Sequence, residues 1–185
     1  FRAYYNRTKN PIDLYVLMCY SFNYQFRFNT AHEYNNPFGK SRSSFNRVMR
    51  ENLTKLQGII QQIQYTSYDF REFDYSLMKA GDFLYADPPY LITCGSYNDG
   101  KRGFKGWGEQ DEKDLYEILD MLTDKGVRFA LSNVSHHKGD RNDILLNWRK
   151  TRKYHMHKIN FNYDNCNYQT KNSNNTTQEV LITNY

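Results

Sequence analysis

Short apolar runs alternate with amphipathic segments from residue 64 onward, and this alternation constrains the fold more than any other feature. We predict strands at residues 83–86, 127–131, 158–163 and 179–183. An amphipathic helix is predicted at residues 109–125, and Gly126 is expected to end it. Its apolar face is indicated by the spacing of Leu115, Ile118, Leu119 and Leu122. A second helix is predicted at residues 143–148. This succession favours an α/β sheet whose first strands are parallel.

The first third of the chain has a different pattern. Pro11 opens a predicted helix, and residues 45–63 place apolar side chains along one face of another. Residues 26–40, between them, alternate and then break at Pro37 and Gly39, which favours a hairpin or a long loop. We therefore predict two domains: a mainly helical one with a hairpin at residues 1–63, and an α/β one at residues 64–185.

Composition limits the partners and the compartment. Seventeen Tyr and twelve Phe are many for 185 residues, and aromatic rings supply faces on which nucleic-acid bases stack. A formal charge of +5 fits a polyanionic partner without requiring one. The three cysteines lie far apart, which favours reduced intracellular thiols, and the histidine pairs lack a third ligand, so we predict no metal site. With neither a membrane-spanning run nor a signal peptide, we expect a cytoplasmic protein.

Asp87-Pro88-Pro89-Tyr90 directly follows the strand predicted at residues 83–86. In open α/β sheets, ligands bind beyond the carboxyl ends of the strands. The two prolines fix the backbone and lack N–H groups, so the carbonyls there are left as outward acceptors. A carboxylate, a carbonyl and an aromatic face therefore meet at one place, and we call residues 87–90 the catalytic motif.

Such a combination suits an exocyclic amine on a flat heterocycle, as in adenine. That amine is a poor nucleophile because its lone pair is delocalised into the ring. Asp87 and the Pro88 carbonyl can each accept one amine hydrogen, which favours a pyramidal nitrogen with a free lone pair. Tyr90 can stack on the base and stabilise positive charge near a sulfonium methyl donor. The competing interpretation is purely structural, a proline-rich turn with a capping Asp.

The catalytic motif resembles the [DN]-P-P-[YFW] signature of amino-group methyltransferases that use S-adenosylmethionine. Its Asp form, preceded by Gly-Asp-Phe-Leu-Tyr-Ala at residues 81–86, resembles the Dam-type (D12 class) family of DNA adenine-N6 methyltransferases. Three further segments resemble that family in the same order. They are Tyr68-Asp69-Phe70, which resembles its cofactor-adenine segment, Asn36-Pro37-Phe38-Gly39-Lys40, which resembles the signature of its target recognition domain, and residues 179–185, which resemble its closing strand.

This resemblance implies an enzyme that transfers a methyl group from S-adenosylmethionine to the N6 amine of an everted adenine in duplex DNA. It implies the C-terminal part of a Rossmann-like methyltransferase sheet at residues 64–185 and a target recognition domain at residues 1–63. The implied setting is the cytoplasm of a bacterial or phage-infected cell. Whether a cognate restriction endonuclease accompanies the enzyme, and which sequence it methylates, stay open.

Site residues follow from the same resemblance. Asp87, Pro88, Pro89 and Tyr90 would be catalytic. Asp69, Phe70 and Asp87 would hold the cofactor, with the Asp69 carboxylate accepting from the cofactor's adenine amine. The competing interpretation is that Asp69 caps a short helix that begins near residue 72. Ser132-Asn133, at the end of the second central strand, is predicted to line the floor of the pocket, and a helix cap is the alternative.

Several polar and basic residues are predicted to contact DNA: Arg27, Asn29, Lys40, Arg42, Lys101, Arg102 and Lys105. Arg can pair with guanine edges, and both Lys and Arg neutralise phosphates. A solvated basic surface is the competing interpretation. Ala31 falls where some members of the family carry a base-reading Arg.

The family's Gly-rich cofactor loop is missing from this sequence. The glycines of residues 103–108 follow the catalytic motif, so we interpret them as a loop beside the active site. The family's first strand and its loop would precede Phe1, and we therefore expect residues 83–86 to form an edge strand. Two alternatives stay open: a catalytically incomplete DNA-binding fragment, and an RNA or protein amino-methyltransferase, which residues 36–40 disfavour.

Overall fold

The structure, a computed structural model, describes residues 1–93, 106–159 and 177–185. The chain divides into two compact units, and the described part of the first unit is Phe1–Ser67. The described part of the second unit consists of residues 68–93, 106–159 and 177–185. No helix in these ranges is both long enough and apolar enough to cross a membrane.

The helices of the first unit are α1 (Arg2–Thr8), α2 (Pro11–Tyr20) and α3 (Arg47–Ile60). Pro11 occupies the first position of α2, where its missing N–H has no intrahelical partner to lose, and Asn10 accepts a hydrogen bond from the Ile12 N–H at 2.8 Å. Asn46 begins α3 by accepting from the Met49 N–H. Both predicted helices are confirmed, although α3 is shorter at each end than residues 45–63.

A small aromatic core holds the first unit together. Tyr5, Phe28 and Tyr34 are buried and meet edge to face, with ring centroids about 6 Å apart. Between Phe28 and Tyr34 the chain turns on a hydrogen bond from the Asn29 N–H to the Glu33 carbonyl. The predicted hairpin is realised as two isolated bridges, Phe28 to Tyr34 and Ser21 to Phe38, because the turns between them interrupt any continuous ladder.

The second unit contains one mixed sheet. Its strands are β1 (Phe83–Ala86), β2 (Arg128–His137), β3 (Asp140–Arg141), β4 (His155–Ile159) and β5 (Thr177–Thr183). The order is β1-β2-β5-β4, and β3 pairs with β2. β1 and β2 are parallel, while β5 runs antiparallel to β2 and β4. The predicted α/β sheet with a parallel start is confirmed, and β1 pairs with β2 alone among the described strands, as expected for an edge.

Two helices cover one face of this sheet, α4 (Glu109–Asp124) and α5 (Asp143–Arg152). Gly126 follows the C-terminal end of α4 and has a φ of +79°, a conformation that glycine adopts without strain. The core between helices and sheet is apolar: Leu115, Leu119, Phe129, Leu131, Leu145, Val180 and Ile182. Trp148 of α5 stacks on Tyr116 of α4 at 4.1 Å between ring centroids. This layer fixes β2, and through the parallel ladder it also fixes the position of β1.

Some boundaries differ from the predictions. β2 continues to His137 although its apolar run ends at residue 131, because polar side chains beyond that point find hydrogen-bond partners inside the fold. α5 extends to Arg152, where Lys153 ends it in the left-handed conformation. β4 begins at His155, three residues before the predicted strand, whose last part lies outside the described residues.

Candidate active site

The catalytic motif lies at the carboxyl end of β1, beside a cavity of about 300 Å³. We call this the motif cavity. Its wall is formed by Phe70, Tyr75, Leu84, Tyr85, Ala86, Asp87, Pro88, Pro89, Trp107 and Leu115. The predicted cofactor residue Phe70 therefore lies beside three residues of the catalytic motif, which follow it by seventeen or more positions in the sequence.

Tyr90 and Asp87 interact directly. The Tyr90 hydroxyl donates a hydrogen bond to Oδ1 of Asp87 at 3.0 Å. Burial raises the pKa of Tyr90 above its usual range, and the hydrogen bond and negative charge of Asp87 raise it further. The phenol therefore stays protonated and remains a donor, which fixes Oδ1 and leaves Oδ2 of the exposed carboxylate to accept from another group.

The prolines shape the other half of the motif. Pro88 and Pro89 are half-buried, and neither has an N–H to donate. The Pro88 carbonyl accepts no hydrogen bond from any residue that the structure describes. The chain then turns at Tyr90, whose carbonyl accepts from the Thr93 N–H at 2.9 Å. One carboxylate oxygen and one carbonyl oxygen at the end of β1 thus have no partner among the described residues.

Asp69 has the capping role that the sequence left as the alternative. Its Oδ1 accepts from the Arg71 N–H at 3.0 Å and begins the 3-10 turn Phe70–Glu72. The side chain of Phe70 faces the cavity instead, with its ring centroid 5.6 Å from that of Trp107. The Phe70 carbonyl is held by the Tyr75 hydroxyl at 2.9 Å.

A four-residue ion cluster, which we call the Arg71 cluster, lies at the start of α4. The Arg71 guanidinium bonds to Asp114 at 2.7 Å, to Asp111 at 2.5 Å and to Asp69 at 3.2 Å. The pKa of Asp111 is lowered by the backbone N–H of Gly108 first and by Arg71 next. The pKa of Asp114 is lowered by Gln110 and then by Arg71. Sequence reasoning missed this cluster, since about forty residues separate Arg71 from its partners on α4.

Asn133 belongs to a buried network rather than to the cavity wall, which corrects the prediction for it. Its Nδ2 donates to Oε1 of the fully buried Glu112 at 3.0 Å. Asn142 and the Tyr116 hydroxyl also donate to Glu112. Asn133 follows Leu131 on the face of β2 that α4 and α5 cover, because side chains alternate along a strand. We call these four residues the Glu112 network.

Ser132, on the other face of β2, is closer to the cavity. Its Oγ lies 2.8 Å from the hydroxyl of Tyr85, a residue of the cavity wall. No group of three or more metal-ligating side chains occurs in the described ranges.

The residues predicted to contact DNA in the first unit are exposed or partly exposed, and most have partners within the protein. Arg27 donates to Asn35 through Nε at 2.8 Å and through a terminal nitrogen at 3.0 Å. Asn29 accepts from the Glu33 N–H at 2.9 Å. The Arg42 guanidinium lies 5.2 Å from the ring centroid of Phe22.

Lys40 has no ion-pair partner among the residues the structure describes. Lys101, Arg102 and Lys105 lie outside the described ranges.

Local packing explains two residues of the segment 36–40. The buried Asn36 donates through Nδ2 to the Gln25 carbonyl at 2.7 Å. Gly39 approaches the end of α2 so closely that a Cβ there would lie 2.7 Å from the Ser21 carbonyl oxygen. Only glycine fits, and the approach is held by the bond from the Gly39 N–H to the Tyr20 carbonyl. Residues 36–40 are therefore held by hydrogen bonds to residues 20–25, and the side chains of Phe38 and Lys40 are exposed.

Known proteins of similar sequence point to one family. Residues 3–164 match the model of the D12 class N6 adenine-specific DNA methyltransferase family. The type II methyltransferase M.FokI of Planomicrobium okeanokoites is 51% identical over the whole chain, and the modification methylase StsI of Streptococcus sanguinis is 49% identical. The modification methylase LlaI of Lactococcus lactis subsp. lactis is 35% identical over 98% of the chain.

The matched region is a minor part of these relatives. The chain spans 28% of the length of each of the three. The family match nevertheless covers most of the chain and includes the catalytic motif. The chain belongs to the D12 class of N6 adenine-specific DNA methyltransferases.

Proposed function

We propose that this chain carries the adenine-binding catalytic motif of a site-specific DNA adenine-N6 methyltransferase that uses S-adenosylmethionine. The observation that supports it most is the meeting of Asp87, Pro88 and Pro89 with Phe70 around one cavity at the carboxyl end of β1. When bound, S-adenosylmethionine supplies an electrophilic methyl group on a sulfonium. In the overall reaction an N–C bond forms at adenine N6, the C–S bond breaks and the amine gives up one proton.

The residues of the cavity fit the adenosyl part of such a donor. Phe70 and Trp107 offer aromatic surface, and the buried Nε1–H of Trp107 has no hydrogen-bond partner in the described part of the chain. A heterocycle with acceptor nitrogens matches both properties, since buried donors are usually satisfied. Asp69, Phe70 and Asp87 are the residues we assign to the donor. The Asp69 carboxylate would accept from the adenine amine while its Oδ1 keeps the hydrogen bond from the Arg71 N–H.

Asp87 and Pro88 would hold the target amine. Oδ2 of Asp87 and the Pro88 carbonyl each accept one N–H, which draws the nitrogen lone pair out of conjugation. The Tyr90 hydroxyl keeps Oδ1 of Asp87 in place. Because the phenol stays neutral, its ring can stack on the everted base and stabilise the positive charge that develops during transfer.

DNA binding is assigned to the first domain, residues 1–63, as a target recognition domain. Arg27, Asn29, Lys40 and Arg42 would contact the duplex, and Lys101, Arg102 and Lys105 the backbone near the everted base. Residues 64–185 form the C-terminal part of the catalytic domain in this proposal. The names of the three relatives, a type II methyltransferase and two modification methylases, support a modifying methyltransferase. A cytoplasmic setting and a cognate restriction endonuclease as the system's second enzyme are further parts of this proposal.

The proposal is tested by the product. The full-length protein and S-adenosylmethionine are incubated separately with duplex DNA, with single-stranded RNA and with a lysine-rich peptide. Each substrate is then digested, and its methylated products are identified by mass spectrometry. We expect N6-methyladenine from the duplex alone. Methylation of RNA or of peptide would move the activity to another substrate class, and duplex binding without any methylation would support a DNA-binding role only.

A further inference from the structure

Arg71 connects two walls of the motif cavity that are distant in sequence. It follows Phe70, and its guanidinium lies 4.3 Å from the Phe70 ring centroid. The same guanidinium forms ion pairs with Asp111 and Asp114 in the first turns of α4. The segment that carries Phe70 is thereby attached to the beginning of the helix.

The second wall is attached through Asp111. Its Oδ1 pairs with Arg71, and its Oδ2 accepts from the Gly108 N–H at 2.8 Å. Gly108 follows Trp107, whose ring meets Phe70 in the cavity. A single carboxylate therefore holds the Phe70 side through Arg71 and the Trp107 side through the backbone.

We propose that Arg71 is a positioning residue for the methyl-donor pocket, setting the separation of Phe70 and Trp107 through Asp111. This inference rests on the proposed function, which places the methyl donor in the motif cavity. Arg71 touches neither reacting atom and acts through its neighbours. Without the guanidinium, Asp69, Asp111 and Asp114 would face one another as three carboxylates, and their repulsion would move residues 69–72 away from α4.

The expected effect is larger on the pocket than on folding. Arg71 is about one-third exposed, and ion pairs so exposed contribute little to stability. Small displacements of a binding wall, by contrast, are costly when a site must hold its ligand in one geometry. Donor binding should therefore weaken while the unfolding temperature changes little.

Arg152 provides a matched control at the other end of α4. It is also one-third exposed and pairs with Asp120 at 3.2 Å and with Asp124 at 3.0 Å. Neither Arg152 nor these two partners lines the motif cavity. Arg71→Gln removes a guanidinium that pairs with three carboxylates, and Arg152→Gln removes one that pairs with two. Only the first cluster is attached to the cavity wall.

The experiment compares the unaltered full-length protein with Arg71→Gln, Arg71→Lys and Arg152→Gln. Isothermal titration gives the Kd for S-adenosylmethionine, scanning calorimetry gives the unfolding temperature, and steady-state assays give KM for the donor and kcat. For this partly exposed cluster we expect about a tenfold higher Kd in Arg71→Gln, equivalent to about 1.4 kcal/mol of binding free energy. Arg71→Lys should fall between, because an ammonium cannot bond three carboxylates in a fixed fork.

KM for the donor should rise with Kd in Arg71→Gln, while kcat at saturating donor and the affinity for DNA stay near their original values. Arg152→Gln should bind the donor as the unaltered protein does. An unchanged Kd in Arg71→Gln, or equal losses in both Gln variants that follow their unfolding temperatures, would overturn the positioning role alone. Failure of the folded, unaltered protein to bind the donor would overturn the proposed function and this inference with it.

Discussion

β1 and β2 are neighbouring parallel strands of apolar sequence, but the protein buries them very differently. Phe129 and Leu131 of β2 are fully buried, whereas their neighbours on the same face of β1, Leu84 and Ala86, are only half-buried. On the other face of β1, Phe83 and Tyr85 are more than half exposed. β2 pairs with β1 and β5 and lies under α4 and α5, whereas β1 pairs with β2 alone among the described strands. β2 thus contributes most to the core, and β1 contributes the end on which the catalytic motif stands. Substitutions in β2 are therefore expected to affect mainly stability, and substitutions at the end of β1 mainly function.

The largest stability difference should come from truncating one side chain on each strand. Leu131→Ala removes a fully buried side chain and should lower the free energy of unfolding by about 2–5 kcal/mol. Phe83→Ala removes a mostly exposed one and should cost no more than about 1 kcal/mol. Urea unfolding followed by circular dichroism measures both. Equal losses would mean that β1 is covered as fully as β2 and that the contrast between them is wrong.

Removing one tyrosine hydroxyl from each side of the sheet gives a finer comparison. Tyr116→Phe deprives the buried Glu112 carboxylate of a donor and should cost about 1.5–3 kcal/mol. Burial and then Glu112 also raise the pKa of Tyr116, so the phenol stays protonated and remains a donor. Tyr85→Phe removes an exposed contact with Ser132 and should cost about 0.5 kcal/mol. Thermal unfolding of the two variants side by side decides the order, and a larger loss in Tyr85→Phe would contradict it.

Tyr90→Phe should affect catalysis more than stability. The variant keeps the ring for stacking but frees Oδ1 of Asp87 from its hydrogen bond. Losing this orientation should slow methyl transfer roughly five- to tenfold, equivalent to about 1 kcal/mol in the barrier. Single-turnover rates at saturating donor provide the measurement. Tyr85→Phe, which removes a different hydroxyl, on the wall of the motif cavity, shows whether the loss is particular to Tyr90. A Tyr90→Phe rate equal to that of the unaltered protein would show that the hydroxyl does not orient the carboxylate.

The smallest effect concerns acid stability at the Arg71 cluster. The pKa values of Asp111 and Asp114 are lowered below their ordinary 3.8 in the folded protein. A lowered folded pKa adds stability above the unfolded value, and this part is lost as the pH falls through the folded pKa. Stability should therefore decline slightly below about pH 4, and the decline should be shallower in Arg71→Gln. Unfolding temperatures between pH 3 and pH 7 test this, and identical profiles would contradict it.

Local patterns in the sequence were sufficient for most elements of the second unit. β1 follows from a short apolar run before two prolines, and α4 from helical spacing before Gly126. The position of the catalytic motif follows from β1 as well, since it needs only the direction of one strand. These features depend on neighbours a few residues apart, which a single sequence displays directly.

Features that depend on distant contacts could not be predicted in this way. Arg71 meets α4 only after the chain has folded, so no local spacing marks it. We predicted Asn133 in the cavity wall because it follows the predicted second strand. Its side chain instead lies on the face of β2 that α4 covers, where it donates to Glu112 of α4. The apolar face of α3 was predicted correctly as a pattern, yet Leu53, Leu56 and Ile60 remain exposed in the described structure. Periodicity shows which side of an element is apolar and leaves open what covers it.

The most direct test of the account is the single-turnover rate of methyl transfer by Asp87→Ala in the full-length protein. Asp87 is exposed at the end of β1, so its removal should leave the unfolding temperature and the DNA affinity close to those of the unaltered protein. The rate should fall by about 10²–10³, the typical cost of losing one polar contact to a reacting centre. A folded, DNA-binding Asp87→Ala protein that keeps half of the original rate would contradict the assignment of the motif to the adenine amine.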